Sequence, residues 1–234
     1  MSSTAGPQAQ PDHLVIAAVT LADGVLWCER MLGVTPGPGG AHPLMGTHNR
    51  LLHIASPDFP CAYLEIIAID SGATQATNTR TRRWFDLDSA DLQQVLAADG
   101  PRLIHFVANT PSAAAGVQAL AALGLAQGPL IQASRATPNG VLAWQIAVRD
   151  DGQRLLNGTL PTLIEWAGAH PIHTLAPSGV TLQSLRASHP KATLLGRAYR
   201  AIGLTSVAAT EGTANLVATL HTPTGVVTLT SQGL

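Results

Sequence analysis

The chain has 234 residues, of which 46% are hydrophobic, 12% charged and 4% aromatic; that is enough for a sizeable core in one large or two small domains and excludes a disordered polyelectrolyte. Thirteen Lys and Arg against 14 Asp and Glu give a net charge of −1, so no basic surface marks a nucleic acid or an anionic membrane as partner. Two cysteines, Cys28 and Cys61, cannot build a disulfide framework, no apolar run is long enough for a membrane span, and the polar residues 1–11 read as a flexible tail without a signal-peptide core, so a cytoplasmic protein is expected.

In chain order, the first predicted element is a strand over 12–19, followed by an amphipathic helix over 21–32 that ends at Gly33. Residues 34–42, interrupted by Pro36, Pro38 and the glycines 37, 39 and 40, form a weak second strand. Strands over 50–55 and 62–69 follow, separated by the turn Ser56-Pro57-Asp58. A polar linker and a short helical patch around 82–96 occupy 71–100. The same order then repeats: a strand over 102–108, an Ala- and Leu-rich helix over 113–123 ended by Gly124, and strands over 127–136, 141–149 and 161–166. Asn139-Gly140 and Asp151-Gly152 mark the turns between them. Residues 178–234 carry a strand over 179–185, a helix over 192–202 and strands over 214–221 and 225–230. The expected fold class is α+β: paired βαβββ modules at 12–70 and 101–177 forming curved mixed sheets around a cleft. A third, partial βαββ unit at 178–234 completes a sheet edge or makes a homodimer contact.

The repeat carries chemistry. The chain has only four glutamates, and two of them, Glu65 and Glu165, sit inside strand-like apolar runs. A carboxylate there costs several kcal/mol to desolvate unless it is compensated. His13 stands 20 residues before Gly33 and 52 before Glu65; His105 stands 19 before Gly124 and 60 before Glu165. Each module thus pairs a histidine in its first strand with a glutamate in its fourth. Two such pairs brought to one centre would make an N/O ligand set suited to Zn²⁺, Ni²⁺, Mn²⁺ or Fe²⁺. The bland alternative is two satisfied interior hydrogen bonds. Gly46-Thr47-His48-Asn49-Arg50 groups polar side chains beside the third strand, so His48, Asn49 and Arg50 are candidates to hold a polar substrate, or else form a turn capped by Asn49. The four tryptophans read as core, and His170-Pro171-Ile172-His173 as a proline-rich loop.

Asp12-His13-Leu14-Val15-Ile16, the paired modules and Tyr63-Leu64-Glu65-Ile66 resemble the vicinal oxygen chelate superfamily, which includes glyoxalase I, extradiol dioxygenases and bleomycin-binding proteins. The segment Gly39–Asn49 together with Tyr63-Leu64-Glu65-Ile66-Ile67 and Arg83-Trp84-Phe85 is similar to its glyoxalase-like-domain branch. The resemblance implies metal ligands at His13, Glu65, His105 and Glu165. It implies a lyase or isomerase acting on a small molecule with vicinal oxygens, with Glu165, by position match, or Glu65 moving the proton. A metal-free protein that sequesters a small molecule in the same cleft is the rival reading.

Overall fold

The computed structural model describes residues 8–72, 82–137 and 140–232; most of the polar tail, most of the linker at 71–79 and Asn139 of the second-module turn lie outside them. The first module runs β1 (Gln10–Ala17), α1 (Leu21–Leu32), β2 (Gly37–His42), β3 (Thr47–His53) and β4 (Tyr63–Ile69). Helix α1 begins where the Thr20 hydroxyl accepts from the Asp23 amide and ends at Gly33, whose φ of 72° lets its N–H reach the Glu29 carbonyl. Helix α2 (Ala90–Asp99) lies in the connection. The second module runs β5 (Arg102–Asn109), α3 (Ala113–Ala121), β6 (Leu130–Thr137), β7 (Gly140–Ala147) and β8 (Thr162–Trp166).

Within each module the fourth strand lies parallel to the first: β4 pairs with β1 and β8 with β5. The two first strands pair antiparallel, so both modules share one eight-stranded sheet, ordered β2-β3-β4-β1-β5-β8-β7-β6. The sheet curls until its two end strands meet: a Cβ on Gly40 of β2 would stand 2.4 Å from Arg135 Nη1 of β6. The result is a curved, nearly barrel-like mixed sheet of the paired βαβββ kind.

Alternation along the strands divides the core in two. Leu14, Ile16, Leu64, Leu103, Phe106 and Leu163 face outward, where they bury Cys28 and Leu32 of α1 and Leu120 of α3. Val15, Ile67, Ile104, Val107, Trp144 and Ile164 face inward, and the segment after the linker fills this concavity with Trp84, Phe85, Leu87, Leu92 and Leu96. Phe85 and Asp86 both have φ 59°, a region that bulky residues rarely enter. An ion pair from Arg154 Nε to Asp86 Oδ2 at 2.8 Å holds them there, while Arg154 Nη1 donates to the Ile104 carbonyl.

The remaining chain forms β9 (Thr181–Ser188), α4 (Ala192–Ala201), β10 (Ala208–Thr210), β11 (Asn215–Thr222) and β12 (Gly225–Thr230), a separate sheet ordered β10-β9-β11-β12. Strand β10 is one more than the sequence shows, because three residues, Ala-Ala-Thr, carry no readable alternation. Its first strand sits between β10 and β11, so this unit is not a third copy of the two modules.

Candidate functional site

His13 shares the concave face with Val15 and Ala17, and Glu65 with Tyr63 and Ile67. Because β1 and β4 are neighbours, His13 Nε2 lies 3.6 Å from Glu65 Oε2, and its ring stacks on Tyr63 with centroids 4.6 Å apart. Where the β1–β5 register shifts between Pro11 and His13, two consecutive side chains bond to each other: His13 Nδ1 lies 2.6 Å from Asp12 Oδ1. Asp12 Oδ2 receives His170 Nε2 at 2.8 Å and Trp166 Nε1 at 2.9 Å. Burial alone would raise the Asp12 pKa, but the hydrogen bonds from His13 and His170 outweigh it and hold the group at about 2. An ionised carboxylate only accepts, so His13 Nδ1 carries a proton, and the ring's other nitrogen, Nε2, faces Glu65. The His170 Nδ1 accepts from the Ile172 amide, which fixes that ring as the Nε2–H tautomer.

Asn49 orders the other carboxylate. Its amide nitrogen donates to Glu65 Oε1 at 2.6 Å and lies 3.4 Å from His42 Nε2, while its Oδ1 accepts from the Gly40 amide at 2.8 Å. A Cβ at Gly39 would lie 2.1 Å from the Asn49 carbonyl, so this close approach of β2 to β3 requires glycine. Desolvation holds the His42 pKa down at about 4.

The site's cavity is bordered by His13, His42, Asn49, Tyr63, Glu65 and Arg135, with Trp84, Trp144 and Trp166 in its walls. An apolar cavity of about 170 Å³ adjoins it, sharing His42, Trp84, Trp144 and Ile146 and bordered further by Pro43, Leu44, Met45, Ile131 and Val148.

The four expected ligands do not converge; only His13 and Glu65 meet. His105 is fully buried and both ring nitrogens are engaged: Nδ1 with the Gly158 carbonyl at 2.9 Å, Nε2 with the Thr162 amide and hydroxyl at 3.2 and 3.0 Å. Burial keeps it neutral, with a pKa of about 3. Glu165 alternates with Ile164, so it shares the outward face with Leu163, where its Oε2 accepts from the Ala113 amide and from Gln145 Nε2, both at 2.8 Å. It caps α3. The repeat in sequence is therefore real, but in the second module it serves interior hydrogen bonds. Of the three substrate candidates, Asn49 is in the site; His48 and Arg50 alternate to the other face, and Arg50 is exposed.

His105→Ala should cost about 3 kcal/mol, because it leaves a cavity and two unpaired backbone groups. Glu165→Gln should cost about 1 kcal/mol through the helix cap alone. Urea unfolding measures both, and neither variant should alter the binding of small molecules in the cleft.

Sequence reasoning missed Asp12, His42, Arg135 and His170. The signal for Asp12 was its place next to His13 in the first strand. Arg135 is brought in from the far edge by sheet closure, which no local pattern reports.

Among the described residues, no group of three or more His, Cys, Asp or Glu side chains is arranged to hold a metal. No described helix is long and apolar enough to cross a membrane. No curated protein is a significant match to the chain. A hypothetical protein from Staphylococcus aureus is similar in fold, with a TM-score of 0.52 at 15% identity over 95% of this chain and 85% of that one. A methylmalonyl-CoA epimerase of Streptomyces coelicolor, solved with 2-nitronate-propionyl-CoA, gives 0.42 at 15% identity over 69% of this chain and 96% of that one. The corresponding epimerase of Mycobacterium tuberculosis gives 0.37 at 14% identity over 70% and 91%. The family model described as the glyoxalase-like domain matches residues 12–203, so this chain belongs to the glyoxalase-like domain family.

Proposed function

We propose that the chain is a small-molecule enzyme of the lyase or isomerase type, in which His13 Nε2 removes a proton from a substrate seated in the cleft. The observation that carries this reading is the Asp12–His13–Glu65 row. Asp12 fixes the proton on Nδ1 and so presents the basic nitrogen to the cavity. Asn49 holds Glu65 by one oxygen, leaving the other 3.6 Å from His13 Nε2, where it stabilises the imidazolium formed when His13 takes the proton. Three tryptophans and Tyr63 line the walls and keep water out.

A divalent ion, which the superfamily resemblance implies, does not fit the donors present. His13 and Glu65 would supply two contacts, while the other expected pair is bonded elsewhere or faces away. The proposed chemistry accordingly has no step through a metal. Sequestration without chemistry would use the same cavity, but it gives no role to a histidine whose tautomer is fixed by a buried carboxylate.

The test is solvent-deuterium exchange into the carbon next to the carbonyl, across a panel of small neutral and anionic oxo compounds, with chelator present. Exchange should proceed in chelator, and His13→Gln should slow it by about 10²–10⁴-fold. Exchange by no member of the panel, exchange indifferent to His13→Gln, or exchange that requires added metal would each overturn the proposal.

A further inference from the structure

Three buried side-chain polar atoms have no hydrogen-bond partner among the described residues: Trp84 Nε1, Arg102 Nε and Arg135 Nη1. The Arg102 guanidinium is otherwise engaged, donating through Nη2 to the Gln232 carbonyl. The other two atoms belong to residues that border the same cavity as His13 and Glu65. Trp84 is only 7% exposed. Donors buried without an acceptor are rare in folded proteins and unfavourable. Two of them at one cavity, one of them on a guanidinium, describe a place for an anionic oxygen.

Trp84 borders the neighbouring apolar cavity as well, and it lies edge-on to His42 with ring centroids 5.0 Å apart. That second cavity holds about 170 Å³ between Pro43, Leu44 and Met45 on one side and Ile131, Ile146 and Val148 on the other. Apolar cavities of about 150 Å³ accept a benzene-sized group. A charged end and an apolar end thus meet at one tryptophan. We infer that the ligand of this cleft is a carboxylate with an apolar substituent of about six carbons, its head bound by Arg135 and Trp84 and its tail lodged in the adjoining cavity. Glu65 is the other formal charge at this wall among the described residues; one of its oxygens is taken up by Asn49 and the other faces His13, so it does not oppose the anion unscreened.

The inference rests on the proposed function for the location of the chemistry, yet it is tested by binding alone. Calorimetry or tryptophan fluorescence with heptanoate, phenylacetate, heptanamide and acetate reads it directly. Heptanoate should bind about tenfold or more tighter than heptanamide, and each methylene from propanoate to heptanoate should add about threefold. Arg135→Met should weaken heptanoate and leave heptanamide within about twofold, Arg135→Lys should restore part of the loss, and Trp84→Phe, which also enlarges the tail cavity, should weaken heptanoate more than heptanamide. Gly40→Ala is the second line, because its methyl would stand 2.4 Å from Nη1 and displace the flexible end of Arg135 without touching the core. It should weaken heptanoate while leaving the unfolding midpoint nearly unchanged. Equal binding of acid and amide, or heptanoate affinity indifferent to both Arg135→Met and Gly40→Ala, overturns the inference. Carboxylate binding without exchange on any oxo acid would refute the proton-transfer reading alone, and exchange confined to neutral substrates would refute this inference alone.

Discussion

Asp12→Asn should cost both stability and activity, more than any other single conservative change at the site. The Asp12 carboxylate is fully buried and accepts from His13 Nδ1, His170 Nε2 and Trp166 Nε1. An asparagine offers one acceptor and an NH₂ donor to a place where three donors converge, so at least one N–H is left facing another. Holding the group at about 2 against an ordinary value of 3.8 corresponds to about 2 kcal/mol of stability at neutral pH. Because the folded value is the lower one, that stabilisation is fully present above pH 3.8 and disappears as the pH falls through about 2. The gap between wild type and Asp12→Asn in urea midpoints should therefore be widest at neutral pH and close toward pH 2. The exchange rate should fall by about 10³–10⁴-fold, the size of effect seen when a catalytic imidazole loses its tautomer-fixing carboxylate. A merely structural Asp12 would leave the exchange rate per folded molecule intact, and that result would remove it from the mechanism.

His42 and His105 act in a different pH window. Burial depresses both, to about 4 and about 3 from an ordinary 6.5. Their contribution is complete above pH 6.5 and is lost as the pH falls toward those folded values, since the unfolded chain takes up protons first. Stability should thus begin to decline well before Asp12 titrates. Replacing His105 should flatten that early decline while leaving the Asp12 window in place.

The modules, the cleft and one of the two His–Glu pairs were legible in the sequence for a physical reason. Local alternation sets which side chains share a face, and a repeated interval sets which strands correspond. What alternation does not report is which of the two faces is concave. His13 and Glu65 fall on the inner face, but Glu165 shares its parity with Leu163, whose face packs against the helices. The half-buried Glu165 carboxylate is therefore met by the Ala113 amide at a helix start rather than by a ligand. A register shift between Val15 and Ile16 along β1–β5 adds a second break in parity close to His105. Its ring ends among Gly158, Thr162 and Phe85, away from Glu65. Arg135 and Trp84 were illegible for a third reason. One comes from the opposite edge of the sheet and the other from a connection with positive-φ residues beside it, so only closure of the sheet brings them to His13.

A chain ending at residue 177 should fail to stay soluble, and this follows from where the outward core finds its cover. Leu182, Leu185, Leu195, Tyr199, Ile202 and Leu220 belong to the same apolar cluster as Leu14, Ile16, Leu64 and Phe106. The unit also bonds to the modules through the backbone: the Leu182 amide donates to the Ile54 carbonyl at 2.8 Å and the Ala9 amide to the Ile202 carbonyl at 2.9 Å. Tyr199 donates its hydroxyl to the Thr159 carbonyl at 2.6 Å, next to the turn whose Gly158 carbonyl holds His105. Removing the unit uncovers a contiguous apolar surface and unpairs the Ile54 and Thr159 carbonyls and the Ala9 amide together, which marks an aggregation-prone species. Milder variants grade the effect in the full chain. Ile202→Ala should cost about 2–5 kcal/mol by leaving a cavity, and Tyr199→Phe about 1 kcal/mol by freeing one carbonyl. Soluble yield, size-exclusion behaviour and urea midpoints are the measurements. A shortened chain that is soluble, unfolds cooperatively and keeps the exchange activity would show that the two modules suffice, and that the third unit covers a face which does not need covering.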